Sequence, residues 1–283
     1  NTLSHRGQEP ENGVLYIVGT PIGNLNDMSP RAINILKNVN LIACENKRNT
    51  KKIMNTFCIK NKITSFNEHN SIIKIQAIIS ELNNDKSVAL VSDAGMPLIC
   101  DPGENLISQC RDQSLEIISV PGPCAATTAI TSSGFHSSKF TFLGFLPRKK
   151  IEREKLLLDI SNSPISIIIY ESPHRLKKLL QELNEYCDGK RKIHIARELT
   201  KKFEEHINGD IEKISKFYEQ KEIKGEFTIV IEGKDYKKDE FSDLKQLKEE
   251  LLFLVNGGLS LSNAAKYLAK KNNLTKKIVY NLY

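Results

Sequence analysis

The chain has 283 residues, 40% hydrophobic and 27% charged, with a formal net charge of +7. That mix excludes a disordered polyelectrolyte, a collagen and a coiled-coil rod, and the length suits about two domains. Apolar runs such as Ile167-Ile168-Ile169 fall far short of the ~20 residues of a membrane helix, and the polar stretch 1–13 has no signal-like apolar segment. A cytoplasmic protein without membrane contact is therefore expected.

In chain order, the apolar run 14–18 reads as a buried strand, broken by Thr20-Pro21-Ile22-Gly23-Asn24. Ser29 and Pro30 open a helix, as N-cap and first helical residue, with Ala32, Ile33, Leu36 and Val39 at helical spacing. Residues 41–44 form a second strand, followed by a charged loop over 45–50. Ile72, Ile75, Ile79 and Leu82 mark a helix stripe, and 87–91 a strand that ends in Ser92-Asp93-Ala94-Gly95. A helix over 104–111 leads to a strand over 115–120 and then to Pro121-Gly122-Pro123. Beyond this turn the alternation continues, with helices expected at 125–131, 151–160, 173–186 and near 211–218. Strands are expected at 140–145, 166–170, 192–196 and 226–232. The pattern predicts an α/β protein with a largely parallel first sheet; periodicity leaves the strand directions of the second half open. The expected domains are 13–121, 122–234 and, beyond a charged linker at 236–240, a helical segment 241–283.

That last segment reads as short helices joined by polar turns, similar to a helix-turn-helix. Leu244, Leu247, Leu251 and Leu252 mark its first helix, and Asn256-Gly257-Gly258 ends it. Ser262 is the expected cap of the second, Asn272-Asn273 its end, and Thr275 the cap of the third. From 255 to 283 there are five lysines (Lys266, Lys270, Lys271, Lys276 and Lys277) and no acid, a pattern that suits RNA or a solvated lysine-rich helix face. Six cysteines form no C-x-x-C, and no His stands at zinc-ligand spacing from a Cys pair, so reduced thiols and no metal site are expected.

Ligands of open α/β sheets bind outside the carboxyl ends of the strands. Here those ends carry Gly19-Thr20-Pro21-Ile22-Gly23, Ser92-Asp93-Ala94-Gly95 and Pro121-Gly122-Pro123, without a dinucleotide-binding or P-loop fingerprint. Polar clusters adjoin other strands: Glu45 to Arg48, Tyr170 to Arg175, Ala196-Arg197-Glu198 and Lys224-Gly225-Glu226. Each suits ion-paired scaffolding; several on one rim suit a site where Arg grips phosphate and Glu handles protons. Glu45, Arg48, Glu171, His174, Arg197, Lys224 and Glu226 are the candidates for that chemistry.

The ordered segments LYIVGTPIGNLNDMSPRA, LVSDAGMPLICDPG, VPGPCAA, GFLPRK, YESPHRL, ARELTK and KGEFTIVIEG resemble the bacterial ribosomal RNA small-subunit cytidine 2′-O-methyltransferases, a branch of the tetrapyrrole methylase superfamily. The resemblance spans about 13–233 and extends into the helical tail. It implies two α/β domains of the tetrapyrrole methylase type holding S-adenosyl-L-methionine in the cleft between them, and a homodimer. The implied substrate is a cytidine in the decoding centre of small-subunit ribosomal RNA. Carried over residue by residue, the cofactor site uses Pro21, Ser92, Asp93, Ala94, Gly95, Met96, Cys124, Ala125, Tyr170, Glu171, Ala196 and Thr228. The family pattern Glu-Asp-Thr-Arg here reads Glu45-Asn46-Lys47-Arg48, so an acid is missing at position 46 and a lysine is gained. Methylation of a tetrapyrrole-like small molecule and non-catalytic RNA binding on the same scaffold are the competing expectations.

Overall fold

Three short apolar runs, at 15–18, 41–44 and 88–91, set the middle of the first sheet, because a strand covered by helices on both sides buries both its faces. The computed structural model describes residues 9–67, 71–272 and 274–283. The elements run β1 (Leu15–Val18), α1 (Pro30–Asn38), β2 (Leu41–Cys44), α2 (Lys47–Thr56), β3 (Ile63–Ser65), α3 (Ser71–Asn83), β4 (Val88–Val91), α4 (Glu104–Asp112) and β5 (Ile117–Val120). The sheet is parallel, in the order β3-β2-β4-β1-β5. Alternation along β1 divides the core. Val14, Tyr16 and Val18 pack with Ile35, Leu36, Ile53 and Met54 of α1 and α2, whereas Leu15 packs with Ile75, Ile79, Leu82 and Leu106 of α3 and α4. The adjacent strands β1 and β4 send their onward connections in opposite directions, and a crevice at their carboxyl ends follows from that reversal.

The second layered half comprises α5 (Ala125–Ser133), β6 (Phe140–Phe145), α6 (Lys150–Asn162), β7 (Ser166–Glu171), α7 (Pro173–Tyr186), β8 (Lys192–Arg197), β9 (Glu205–Asp210), α8 (Ile211–Glu219) and β10 (Phe227–Ile231). Its order is β6-β7-β10-β8-β9, with β6 and β7 parallel and the other pairs antiparallel. One face packs on the leucines of α7 at 176, 179, 180 and 183. On the other face Ile168, Ala196 and Val230 pack on Ala126, Ala129 and Ile130 of α5. Both sheets belong to one compact unit that ends at Glu232, and a second unit covers Gly233–Tyr283. In that unit α9 (Tyr236–Asn256), α10 (Leu261–Lys271) and α11 (Lys276–Tyr280) share a core of Leu247, Leu251, Ala264, Ala265, Leu268 and Val279. Among the described residues no helix is long and apolar enough to cross a membrane.

Five local expectations are corrected. The charged loop at 45–50 is in fact the start of α2, which Asn46 caps by accepting the Arg48 N–H at 2.9 Å. Ile72 is 83% exposed; Ile78 takes its place in the core stripe of α3. The polar run 205–210 forms β9, through a ladder with β8 from Lys192 to Arg197. The linker at 236–240 is the first part of α9, and Ser260 rather than Ser262 caps α10, accepting from the Asn263 N–H at 3.3 Å. Residues 1–8 of the polar leader and Asn273 lie outside the described residues.

Candidate active site

Three loops meet at the carboxyl ends of β1, β4 and β5 because glycine lets them. A Cβ on Gly19 would stand 2.6 Å from the Gly122 Cα and 2.7 Å from the Met96 sulfur. A Cβ on Gly122 would meet the Gly19 Cα at 2.7 Å. Neither position has room for a side chain. The loops are then tied by hydrogen bonds. The Thr20 N–H donates to the Gly95 carbonyl at 2.9 Å, and the Gly95 N–H returns one to the Thr20 carbonyl at 3.1 Å. The loop after β4 turns sharply, with Gly95, Leu98, Cys100 and Gly103 all at positive φ. For Leu98 and Cys100 this costs about 1–3 kcal/mol each, which the surrounding packing must offset.

Above these loops lies a cavity of about 440 Å³ whose lining also includes β7 and β10. The sequence-derived residues Asp93, Ala94, Gly95, Met96, Cys124 and Ala125 line it. So do Tyr170, Glu171 and Thr228 of the cofactor set, and Glu45 and Glu226 of the catalytic set. Other candidates stand back from the wall. Pro21 and Ser92 are buried in the loops, and Ala196, beside Thr228 on the neighbouring strand, is buried in the core against α5. Arg48 is exposed on α2. Arg197 is tied to the Lys224 carbonyl at 2.6 Å and to Glu205 at 3.6 Å, while Lys224 pairs with Glu222 at 2.7 Å.

Sequence reasoning missed Ile22, Ile99, Cys100, Asp101, Phe145 and Phe227 in the lining. The Asp101-Pro102-Gly103 turn was the available signal for Asp101. Burial and the nearby charge of Glu45 push the Asp101 carboxyl up to about 6, with Asp93 adding to the effect and a Ser92 hydrogen bond opposing it. The lining contains five carboxylates (Glu45, Asp93, Asp101, Glu171 and Glu226) and no Lys, Arg or His.

Two of these acids have an idle oxygen. Asp93 Oδ2 accepts from the Asn49 amide at 2.8 Å, yet Asp93 Oδ1 is buried without a partner. Glu171 Oε1 accepts from the Ser172 N–H at 2.8 Å and faces Arg175 Nε at 3.4 Å, yet Glu171 Oε2 is buried without a partner. Buried acceptors left open in a cavity ask for donors or positive charge from a ligand. Tyr170 braces the wall. Its hydroxyl accepts from the Ala126 N–H at 3.1 Å, its ring meets Phe142 edge-on at 4.8 Å, and burial raises its hydroxyl. Among the described residues no cluster suited to a metal ion is found.

In the ligand-free chain Asp101 holds its proton more tightly folded than unfolded. Stability is therefore lost as pH rises from the unfolded value near 3.8 through the folded value near 6. Asp101→Asn should raise the melting temperature by a few degrees at about pH 7.5 and by less at about pH 4.5, read from thermal melts.

The family model for tetrapyrrole (corrin/porphyrin) methylases matches residues 14–215. The ribosomal RNA small subunit methyltransferase I of Vibrio cholerae is 46% identical over 191 residues, covering 68% of this chain and 66% of the relative. The aligned stretch is thus just under two thirds of that relative's length. The protein of the same name from Synechocystis is 38% identical over 270 residues, 95% of this chain and 97% of the relative. Among solved structures, the uroporphyrin-III C-methyl transferase of Thermus thermophilus complexed with S-adenyl homocysteine superposes with a TM-score of 0.55 at 12% identity, covering 77% of this chain and 96% of that one. The chain accordingly belongs to the tetrapyrrole methylase family, in the branch of the ribosomal RNA small subunit methyltransferases I.

Proposed function

We propose that the chain transfers a methyl group from S-adenosyl-L-methionine to the ribose 2′-hydroxyl of a cytidine in the decoding centre of small-subunit ribosomal RNA. The observation that carries the reading is the all-acidic cavity with its two unsatisfied buried oxygens, Asp93 Oδ1 and Glu171 Oε2. Such a lining selects a cation with hydroxyl and ammonium donors, which is the chemistry of this cofactor. The names of the relatives supply the RNA class, and the S-adenyl homocysteine complex of a structural neighbour supports the cofactor.

Asp93 and Glu171 would hold the cofactor's donors, with Gly95, Met96, Ala125 and Thr228 close around it. When bound, it supplies an electrophilic methyl on a positively charged sulfur. The protein's own part is alignment, exclusion of water and disposal of one proton. That proton passes from the ribose hydroxyl to the Glu45–Asp101 pair. Asp101 is ionised near neutral pH, but its raised value makes it a better acceptor than an ordinary carboxylate. Arg48, Arg197 and Lys224, outside the cavity wall, belong in this reading to the RNA-facing rim. The chain acts in the cytoplasm, where its substrate is.

Asp93→Ala should abolish cofactor binding in calorimetry while the protein stays folded by circular dichroism. Unchanged affinity would displace the pocket. Asp101→Asn should keep cofactor affinity and slow labelled methyl transfer to small ribosomal subunits by roughly 10²-fold.

The helical unit is read as an RNA contact. Lys271 is paired with Glu250, and Lys276 donates to the Ser262 hydroxyl at 2.7 Å. Lys266, Lys270 and Lys277 make no ion pair among the described residues and remain for phosphate. Ending the chain at Glu232 should weaken RNA binding, leave cofactor affinity nearly intact and lower the log–log salt slope by about 2–3, at 0.7–0.9 per contact. Parallel slopes with equal affinity would leave the unit a structural cap. The reading includes a homodimer, and a monomer mass by sedimentation at micromolar concentration would count against it.

A further inference from the structure

A second cavity, of about 400 Å³, opens where β6 and β7 end. Its polar wall is made by Arg148, Arg153, Ser172, His174, Arg175 and Lys178, so it is as basic as its neighbour is acidic. Ser172 belongs to both linings, which makes the two cavities adjacent.

The basic groups are of two kinds. Arg153, 5% exposed, is fixed by Glu182 through Nε at 2.8 Å and Nη2 at 2.5 Å. Arg175 is fixed by Glu171 at 3.4 Å and by the Leu146 carbonyl, to which its Nη2 donates at 2.6 Å. These two are held rigidly and partly neutralised. Arg148 and His174 make no ion pair among the described residues, and Lys178 Nζ stands 3.9 Å from Glu182 Oε1, the other oxygen of the carboxylate whose Oε2 holds Arg153. Four permanent cations thus face two carboxylates, Glu182 and Glu171, leaving uncompensated positive charge. The cavity also lies at the first turn of α7, where Ser172 is the N-cap but its side chain accepts no helix N–H. The helix dipole there adds to the positive field.

We propose that this basic cavity holds a backbone phosphate of the RNA strand beside the nucleotide whose ribose enters the acidic cavity. The inference rests on the RNA reading above and adds the strand's anchoring point. An acidic cavity repels a polyanion, so a substrate strand needs a compensating site close by. Arginines held by carboxylates present a fixed fork to a phosphate, while Arg148, which has no ion pair among the described residues, and Lys178, which shares Glu182 with Arg153, supply the charge the two carboxylates leave over. The register follows. Phosphate on one side of Ser172 places the neighbouring sugar on the other side, facing Glu45 and Asp101.

The test is Arg148→Gln/Lys178→Gln in the full chain, with Lys37→Gln/Lys60→Gln, exposed on α1 and after α2, as the charge-matched control. Cofactor affinity is measured by calorimetry, methyl transfer to small ribosomal subunits by label, and binding of a single-stranded oligoribonucleotide against salt by fluorescence anisotropy. The cavity variant should keep cofactor affinity and kcat within about twofold, raise KM for the subunit about tenfold and lower the salt slope by about 0.7, the value for one phosphate of a single strand. The control should match the wild type. If the wild type methylates subunits and the cavity variant shows the same KM and slope, the anchoring proposal alone is overturned. Equal losses in the cavity variant and the control would also overturn it, since charge anywhere would then suffice. If the wild type transfers no methyl to RNA, the RNA reading and this proposal fall together.

Discussion

Two chain reversals compete for one place at the end of the first sheet, and the backbone contact of Gly19 with Gly122 resolves the conflict. With no side chain between them, the loops after β1 and β5 close to van der Waals distance, and Met96 of the loop after β4 packs against the same point. The Thr20–Gly95 bridge then fixes that third loop. The left-handed backbone at Leu98 and Cys100 is sustained within this framework, and Asp101 is carried with it into the cavity wall. Gly144 makes a similar close approach from the second sheet, where a Cβ would meet the Cys100 sulfur at 2.7 Å. The acidic cavity therefore rests on backbone contacts more than on the acids that line it.

Charge is sorted across the end of β7. Glu171 lines the acidic cavity, and its Oε1 ties down Arg175 of the basic cavity while its Oε2 is left without a partner, so a single carboxylate stands between two opposite fields. Such a boundary suits a transfer reaction whose donor is a cation and whose acceptor is a polyanion. On the proposed reading each reactant would be drawn to its own side, with the two meeting at the shared wall.

The strand–helix alternation was legible because apolar runs and capping residues are local signals; Ser29 and Pro30 open α1 as their types require. What escaped was set by partners distant in sequence. The run 205–210 has no apolar pattern, and only the exposed edge of β8 makes it a strand. Ile72 fits the helix stripe by spacing, but the sheet covers only the turns beyond it. At the site, the Ser92–Met96 and Cys124–Ala125 turns were readable from their place after strands. Asp101 was not, because its environment comes from burial in the fold and from Glu45, just past the distant strand β2. Arg197 and Lys224 looked chemically eligible in sequence and are bound to each other and to nearby acids in the fold.

Asn46 shows what kind of drift this architecture absorbs. A helix cap needs one acceptor oxygen, and an amide offers it as well as a carboxylate does, so the acid of the family pattern can leave position 46 without disturbing α2. The same exchange at position 93 is a different event. One Asp93 oxygen already accepts from Asn49 while the other is buried without a partner in a residue that lines the cavity, so an amide there would put an NH2 at one of two positions held by an acceptor. In a chain so rich in asparagine and lysine, the acids worth tracing are those that hold a protein donor with one oxygen and keep the other buried and open, as Asp93 does. Composition can wander through caps and solvent faces, but it meets a chemical boundary wherever one carboxylate serves two masters.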